Sequence, residues 1–298
     1  MRLTDLRFAL RQLRKAPGFT VTAVLTLALG IGALTTVATW TNAVLYNPWP
    51  QVANQSSIRF IDATVLGNEG YSLQYDSYQF VRTQGRSFSD GAAFNLGTLN
   101  VSAPGAQAQA VMAGTVTANY FRFLGVQPQI GRFFAPDADD RAFGSHDEVV
   151  LSDAYWRDRF AADPGVVGRT ISINQHAFTV IGVGPKDFAG IFGGIAEAAW
   201  VPLSSLRDLS ADSGPDPLAH YGLGGVAVRL RPGVSDSAAA AELHALAHSF
   251  VLAQHGDRDS HWDLNLRDPA HFERGLFGMI GEMLPVLFGA SILLMLLV

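Results

Sequence analysis

FTVTAVLTLALGIGALTTVATWTNAVL, residues 19–45, is the stretch on which the reading of this chain turns. It lies inside a longer run, Ala16 to Ile58, that has no charged side chain. Its 27 residues would extend roughly 40 Å as a helix. That exceeds the ~30 Å hydrocarbon core of a bilayer, so a tilted transmembrane helix is expected. Val21, Leu25, Leu27, Leu29, Ile31, Leu34 and Val37 supply the hydrophobicity. Gly30, Gly32 and Ala33 leave room for a neighbouring helix to approach closely.

Upstream, residues 1–18 carry Arg2, Arg7, Arg11, Arg14 and Lys15 against one acid, Asp5. Basic flanks stay inside, which puts the N-terminus in the cytoplasm. Leu3, Leu6, Leu10 and Leu13 recur at spacings of three and four, the stripe of an amphipathic helix, with Arg7, Arg11 and Arg14 along its flank. Such a helix lies on the inner leaflet, leucines in the acyl boundary and guanidinium groups at anionic headgroups. An ordinary basic flank with coincidental leucine spacing is the plainer alternative. Pro17-Gly18 should separate this helix from the span. A cleaved signal peptide also begins basic and then turns apolar, but its apolar core is shorter, and Thr36-Val37-Ala38 is a poor cleavage site.

At the other end, MLPVLFGASILLMLLV, residues 283–298, is apolar to the last residue. Sixteen residues fall short of the ~20 a span needs, so this reads as the start of a second transmembrane helix, residues 279–298, cut short. The chain is then expected to be a fragment of a larger membrane protein.

Between the two apolar segments, Tyr46 to Glu282 holds 25 acidic and 16 basic side chains, whereas the leader is net positive. A basic inner face with an acidic outer domain argues against nucleic acid as a partner. The chain has no cysteine, which excludes disulfide and thiolate chemistry.

The hydrophobic periods of this outer region predict strands at 57–62, 92–101, 110–116, 148–151 and 226–230, and a hairpin from 170–173 and 178–183 turning at Asn174-Gln175. Helices are predicted at 75–84, at Tyr120 to Leu124 capped by Thr117 and ended by Gly125, at 153–160 capped by Ser152, and at 236–252 capped by Ser235. The fold class expected is α+β, membrane-anchored, with a mixed α/β extracytoplasmic domain. The domain, residues 46–278, would comprise a base (46–114 and 222–278) and an inserted β-rich lobe (115–221).

An ordered set of short stretches also resembles a known family. Val116-Thr117-Ala118-Asn119-Tyr120-Phe121-Arg122-Phe123-Leu124-Gly125-Val126 and Gly131-Arg132-Phe133-Phe134 are similar to the extracytoplasmic domain of MacB-like permeases. Val150 to Arg157, Val167 to Ile171, Asn174, Phe178 to Val183 and Trp200-Val201-Pro202-Leu203 continue the resemblance in the same order. Asp5 to Leu13, Pro17-Gly18-Phe19 and Leu27 to Ala33 look like the start of the duplicated orphan permeases of that MacB-like and FtsX-like group. The resemblance implies a permease subunit of the bacterial inner membrane, with four spans in each repeat and a periplasmic domain between the first two. It implies a separate ABC ATPase whose motion passes through the spans, and a dimer or a second permease half.

The chain has no P-loop of its own: its two lysines are Lys15 and Lys186, and neither precedes Ser or Thr. ATP hydrolysis is therefore expected from another protein, and Arg7, Leu10, Arg11 and Arg14 are the candidate coupling and membrane-surface residues. His244 and His248 share the i, i+4 spacing of a metal pair, but HExxH is lacking and a third ligand would have to come from His255, His261 or His271. Asp137, Asp139, Asp140 and Glu148 imitate a calcium loop that Arg141 and Ala142 spoil, so a solvated acidic loop is expected. No G-x-S-x-G elbow occurs, and Gly222, Gly224 and Gly225 precede a strand, the wrong context for dinucleotide phosphates, so close packing or a hinge is expected there. No cofactor, metal or catalytic residue is expected. Ile191, Phe192 and Ile195 in the Gly-rich loop 189–195 are a candidate contact point, with burial in the core as the alternative. The function read from this is a non-catalytic permease subunit or fragment of an ABC-type exporter or mechanotransmission complex. The competing reading is a membrane-anchored extracytoplasmic binding or scaffold module.

Overall fold

A computed structural model describes residues 15–41, 49, 51–103, 105, 107–135, 147–192, 195–205, 221–255, 262–269 and 289. Arg7, Leu10, Arg11 and Arg14 lie outside the described residues, as does the second apolar segment apart from Gly289. The chain divides into two compact units, Met1–Pro48 with Glu273–Val298, and Trp49–Phe272.

In the first unit, helix α1 runs Pro17–Thr41, 25 residues or about 37 Å. Its N-terminal boundary corrects the expectation that Pro17-Gly18 precedes the helix. Proline has no N–H to leave unsatisfied at the first position and its fixed φ suits helix entry, so it opens α1. Thr20, Thr22 and Thr26 return their hydroxyls to the carbonyls of Ala16, Gly18 and Thr22 at 3.0, 2.9 and 2.7 Å. Thr35 does the same to Ile31. These bonds hide the polar atoms of an otherwise apolar helix. Val21, Val24, Leu25, Leu27 and Ile31 are exposed. The side chains of Phe19, Ala23, Leu29, Ala33, Leu34 and Val37 are outside the description. Over the described residues alone, no helix is long and apolar enough to cross a membrane.

The second unit is built on one eleven-stranded sheet. Its strands are β1 Ile58–Val65, β2 Asn68–Tyr71, β3 Phe88–Ser102, β4 Gln109–Val116, β5 Ile130–Gly131, β6 Glu148–Leu151, β7 Thr170–Ile173, β8 His176–Val183, β9 Ala199–Pro202, β10 Gly225–Leu230 and β11 Trp262–Arg267. They are ordered β11-β1-β10-β3-β4-β9-β6-β8-β5, with β2 on β1 and β7 against β3 and β8. Pairing is antiparallel except for β4 with β9 and β6 with β8. The 15-residue β3 runs through the whole arrangement. Its first half pairs β10, Phe94 facing Gly225, and its second half pairs β4, Val101 facing Gln109.

Three hydrophobic clusters follow from this order. Helices α2, Tyr75–Gln84, and α5, Asp236–His255, cover the β1, β10 and β11 end through Tyr78, Val81, Ala239, Leu243 and Ala247. The recurrence of Ala239, Leu243, Ala247 and Val251 at every fourth position is what lays α5 flat on the sheet. At the far end, Trp156 of helix α4, Asp153–Phe160, packs with Val166, Phe178 and Val180. The middle cluster joins Trp49, Phe60, Phe94, Tyr120, Phe121, Phe192 and Trp200.

Local capping agrees with the residues in most places. Ser152 Oγ accepts from the Tyr155 amide, Ser235 Oγ from the Ala238 amide, and Gly125 ends α3, Tyr120–Leu124, at φ 72°. Asn174 and Gln175 take the two positive φ values, 47° and 73°, that a two-residue hairpin turn requires. Thr117 is the exception: Asn119 occupies the cap position of α3, while the Thr117 hydroxyl accepts from the Ala93 amide and stitches the loop to β3.

Candidate functional site

The chain enters the sheet through residues 49–57, and long-range bonds fix each part of that segment. Trp49, 2 % exposed, donates its indole Nε1–H to the Ile191 carbonyl at 2.9 Å. Its ring packs on Phe60 at 5.6 Å. The Gln55 side-chain amide and the Val52 amide both return to the Trp49 carbonyl. Ala53 N–H donates to the Leu124 carbonyl at 3.0 Å, and Arg229 from β10 donates to the Asn54 carbonyl and the Ser57 hydroxyl at 3.0 and 2.7 Å.

Ile191 belongs to the connection from β8 to β9, residues 184–198. The sheet holds both ends of it: Gly184 N–H donates to the Leu151 carbonyl and Ala198 N–H to the Met112 carbonyl. Ile191 is fixed through its carbonyl by Trp49 and through a backbone hydrogen bond to the Tyr120 hydroxyl. Phe192, the next residue, meets Phe94 of β3 edge-on at 5.0 Å and 83°.

Beneath this loop sits a buried carboxyl group. Glu197 is 2 % exposed, and two glycines make the space for it. A Cβ on Gly114 would collide with its Oε2, and one on Gly190, which lies at φ +95°, would collide with its Oε1. Burial pushes the Glu197 pKa well above the ordinary carboxylate value, with the Trp200 indole pulling the other way. Tyr120, also buried, is raised first by desolvation and then by Glu197. Glu197 Oε1 and Trp200 Nε1 complete no hydrogen bond of proper geometry. Aromatic rings close the rest of the chamber, with Trp200 edge-on to Phe121 at 5.5 Å and Phe121 stacked on Phe133 at 3.9 Å. The arrangement holds no nucleophile paired with a base. It is a buried clamp that joins the chain entry, the 184–198 loop and β9.

The candidate contact residues fall inside this construction. Ile191 and Phe192 are 1 % and 5 % exposed, and the part-buried Ile195 packs against the same cluster. Their side chains hold the loop from within. His244 donates or accepts at Nδ1 with Asp263 of β11 at 2.7 Å, and Glu242 accepts from the Arg86 and Ser87 amides at 2.7 Å each. His261, His271, Asp137, Asp139 and Asp140 lie outside the described residues, as does the His255 side chain. Among the described residues, no three His, Cys, Asp or Glu side chains gather as metal ligands. A Cβ on Gly224 would meet Asn95 Oδ1 at 2.7 Å, which agrees with close packing there, whereas one on Gly222 would meet nothing within 4 Å. Sequence reasoning passed over Trp49 and Glu197. The signal was present, for Glu197 is the one charge between Phe188 and Leu206, and a lone acid in an apolar run has to be neutralised or buried in a made space.

Comparison with known proteins follows this geometry. Residues 20–246 match the family model of the MacB-like periplasmic core domain. The fold is similar to the periplasmic region of MacB from Actinobacillus actinomycetemcomitans, with TM-score 0.53, 15 % identity, 78 % of this chain and 97 % of that one. A domain of a putative permease protein from Porphyromonas gingivalis gives TM-score 0.52 at 17 % identity, over 73 % and 92 %. The extracellular domain of the noncanonic ABC-type transporter YknZ from Gram-positive bacteria gives 0.50 at 12 %, over 69 % and 98 %. No curated protein matches the chain. The chain belongs to the MacB-like ABC transporter permease family and carries its periplasmic core domain.

Proposed function

We propose that this chain is the N-terminal portion of a permease subunit in an ABC-type exporter or mechanotransmission complex, and that its outer domain relays motion rather than performing chemistry. One observation carries the reading. Trp49, eight residues past the end of α1, is hydrogen-bonded to Ile191 across 142 residues of sequence, so a pull on the chain at its entry acts directly on the 184–198 loop. The charge-free α1, with its exposed Val and Leu side chains and its internally bonded threonines, supports a first span. On this reading the leader is cytoplasmic, and Arg7, Leu10, Arg11 and Arg14 contact a separate ABC ATPase and the inner leaflet. A second permease copy or half completes the complex, and residues 279–298 begin a second span. The outer domain divides into the base, 46–114 with 222–278, and the lobe, 115–221.

An anchored binding module is the second reading. A groove of about 290 Å³ between Val65, Tyr71, Phe250 and Trp262 favours it, because ligand sites are concave and lined by apolar and aromatic side chains. Co-purification from membranes in mild detergent, with this chain and with a full-length parent, separates the two. An ATPase that accompanies the parent and is lost when Arg7, Arg11 and Arg14 become Glu supports the coupled permease. An ATPase absent from both overturns it in favour of the binding module.

A further inference from the structure

Where β1 and β10 begin and end together, the surface opens into a groove of about 690 Å³ whose lining includes Ser57, Arg59, Ser89, Arg229, Arg231 and Asp236. Three guanidinium groups face one acid in it, within an outer domain where acids outnumber bases. Asp236 neutralises Arg59 through two bonds, at 2.8 and 3.1 Å. Among the described residues neither of the other two arginines makes an ion pair, although Asp90, the register partner of Arg229 on β3, acts on Arg229 through space. Arg229 places three of its five N–H donors on neutral oxygens, the Asn54 and Phe123 carbonyls and the Ser57 hydroxyl, and lies 5.3 Å over the Phe123 ring. These contacts hold its charge in place without cancelling it. Arg231 is exposed and donates only Nε, to the Arg86 carbonyl at 2.9 Å, which leaves its two terminal nitrogens directed to solvent.

The groove thus holds a formal surplus of two positive charges, one of them pre-positioned and one free to fold over a ligand. Guanidinium groups grip oxyanions through paired N–H donors, and a charged cleft concentrates ions of opposite sign. A single carboxylate would meet half of this charge and little of the volume. We propose that this groove is a binding site for a phosphate group, in the form of a phosphate ester. Arg229 is its fixed anchor, Arg231 its closing arm and Ser56 a hydroxyl partner at its rim, while the Ser57 and Ser89 hydroxyls already donate to the Asn54 and Arg229 carbonyls at 2.8 and 3.2 Å. The proposal goes beyond the relay reading and stands whether or not an ATPase is coupled.

The shared chemistry admits two sources, a soluble phosphate ester or the headgroup of a phospholipid. Isothermal titration of the full chain in neutral detergent, with glycerol phosphate and separately with short-chain phosphatidic acid, both phosphomonoesters, distinguishes them. Saturable binding of either supports the site, and the tighter of the two names the source. Arg231→Gln, a change on the exposed surface, should weaken binding about tenfold with no change in melting temperature. Asp236→Asn removes the competing acid and should tighten binding severalfold, an effect that damage to the fold would not produce. No saturable binding of either probe, or equal affinity in the wild type and Arg231→Gln, overturns the proposal.

Discussion

The indole N–H of Trp49 is bonded to the backbone carbonyl of Ile191 at 2.9 Å, and both residues are buried. The apolar side chains of Ile191 and Phe192 are in the core, and the Ile191 backbone is bonded on both sides.

Trp49→Phe keeps most of the ring contact with Phe60 but strands the Ile191 carbonyl. A loss of about 1–3 kcal/mol is expected in chemical denaturation. Trp49→Ala also empties the cavity, and about 3–5 kcal/mol should go. A Trp49→Phe variant as stable as the wild type would mean that the hydrogen bond carries no weight.

Gly190→Ala combines an unfavourable φ of +95° with a collision at Glu197. The nearest atoms that the new methyl group meets all belong to Glu197, so Glu197→Ala in the same chain should recover the steric part. The backbone strain, about 1–3 kcal/mol, remains. A double variant no more stable than the sum of the single losses predicts would show that the two residues are not coupled.

The buried carboxyl makes stability depend on pH in a particular direction. Burial raises the Glu197 pKa above its unfolded value of about 4.5, with Trp200 opposing, so from that pH upward the folded chain holds more protons than the unfolded one. Its contribution is therefore greatest below pH ~4.5 and declines as the pH rises, until the folded carboxyl itself ionises. Glu197→Gln keeps the shape and removes the proton. The difference in stability between the variant and the wild type should grow in favour of the variant as the pH rises above about 4.5. A difference independent of pH would contradict a raised Glu197 pKa.

Gly131 of β5 pairs with Gly182 of β8, and a Cβ on Gly131 would meet the Gly182 Cα at 2.8 Å. Gly131 also lies at φ +73°. Gly182→Ala should detach the β5 edge, with faster hydrogen exchange at Arg132, whose amide donates to the Ile181 carbonyl at 2.9 Å, and little change in α5. Unchanged exchange at Arg132 would show that β5 tolerates the methyl group.

How much of this was legible follows from the range of the forces involved. The helix Tyr75–Gln84 and the strand Glu148–Leu151 were readable to the residue, because the hydrophobic pattern and burial agree locally. Strands β2, β5, β9 and β11 were not predicted. The four residues of β2 are all exposed and those of β9 all buried, so neither shows an alternating pattern, and β5 has two residues. The clamp was less legible still. Trp49, Ile191, Glu197 and Gly114 meet only because β4 and β9 pair in parallel, a relation without local trace. The resemblance had already drawn attention to Tyr120 and Trp200, two walls of the chamber, although nothing in the motif stated what lay between them.

The most direct test of the relay is hydrogen exchange on the full chain in detergent, comparing wild type with Trp49→Phe. If the entry segment holds the 184–198 loop through Ile191, the amides of Ile195 and Glu197, bonded to Phe192 and Ala189, should exchange about tenfold faster in the variant. The amides of α5, in a different cluster, should not change. Exchange in the loop that is the same with and without the indole N–H would contradict the account, since the chain entry would then have no hold on the loop.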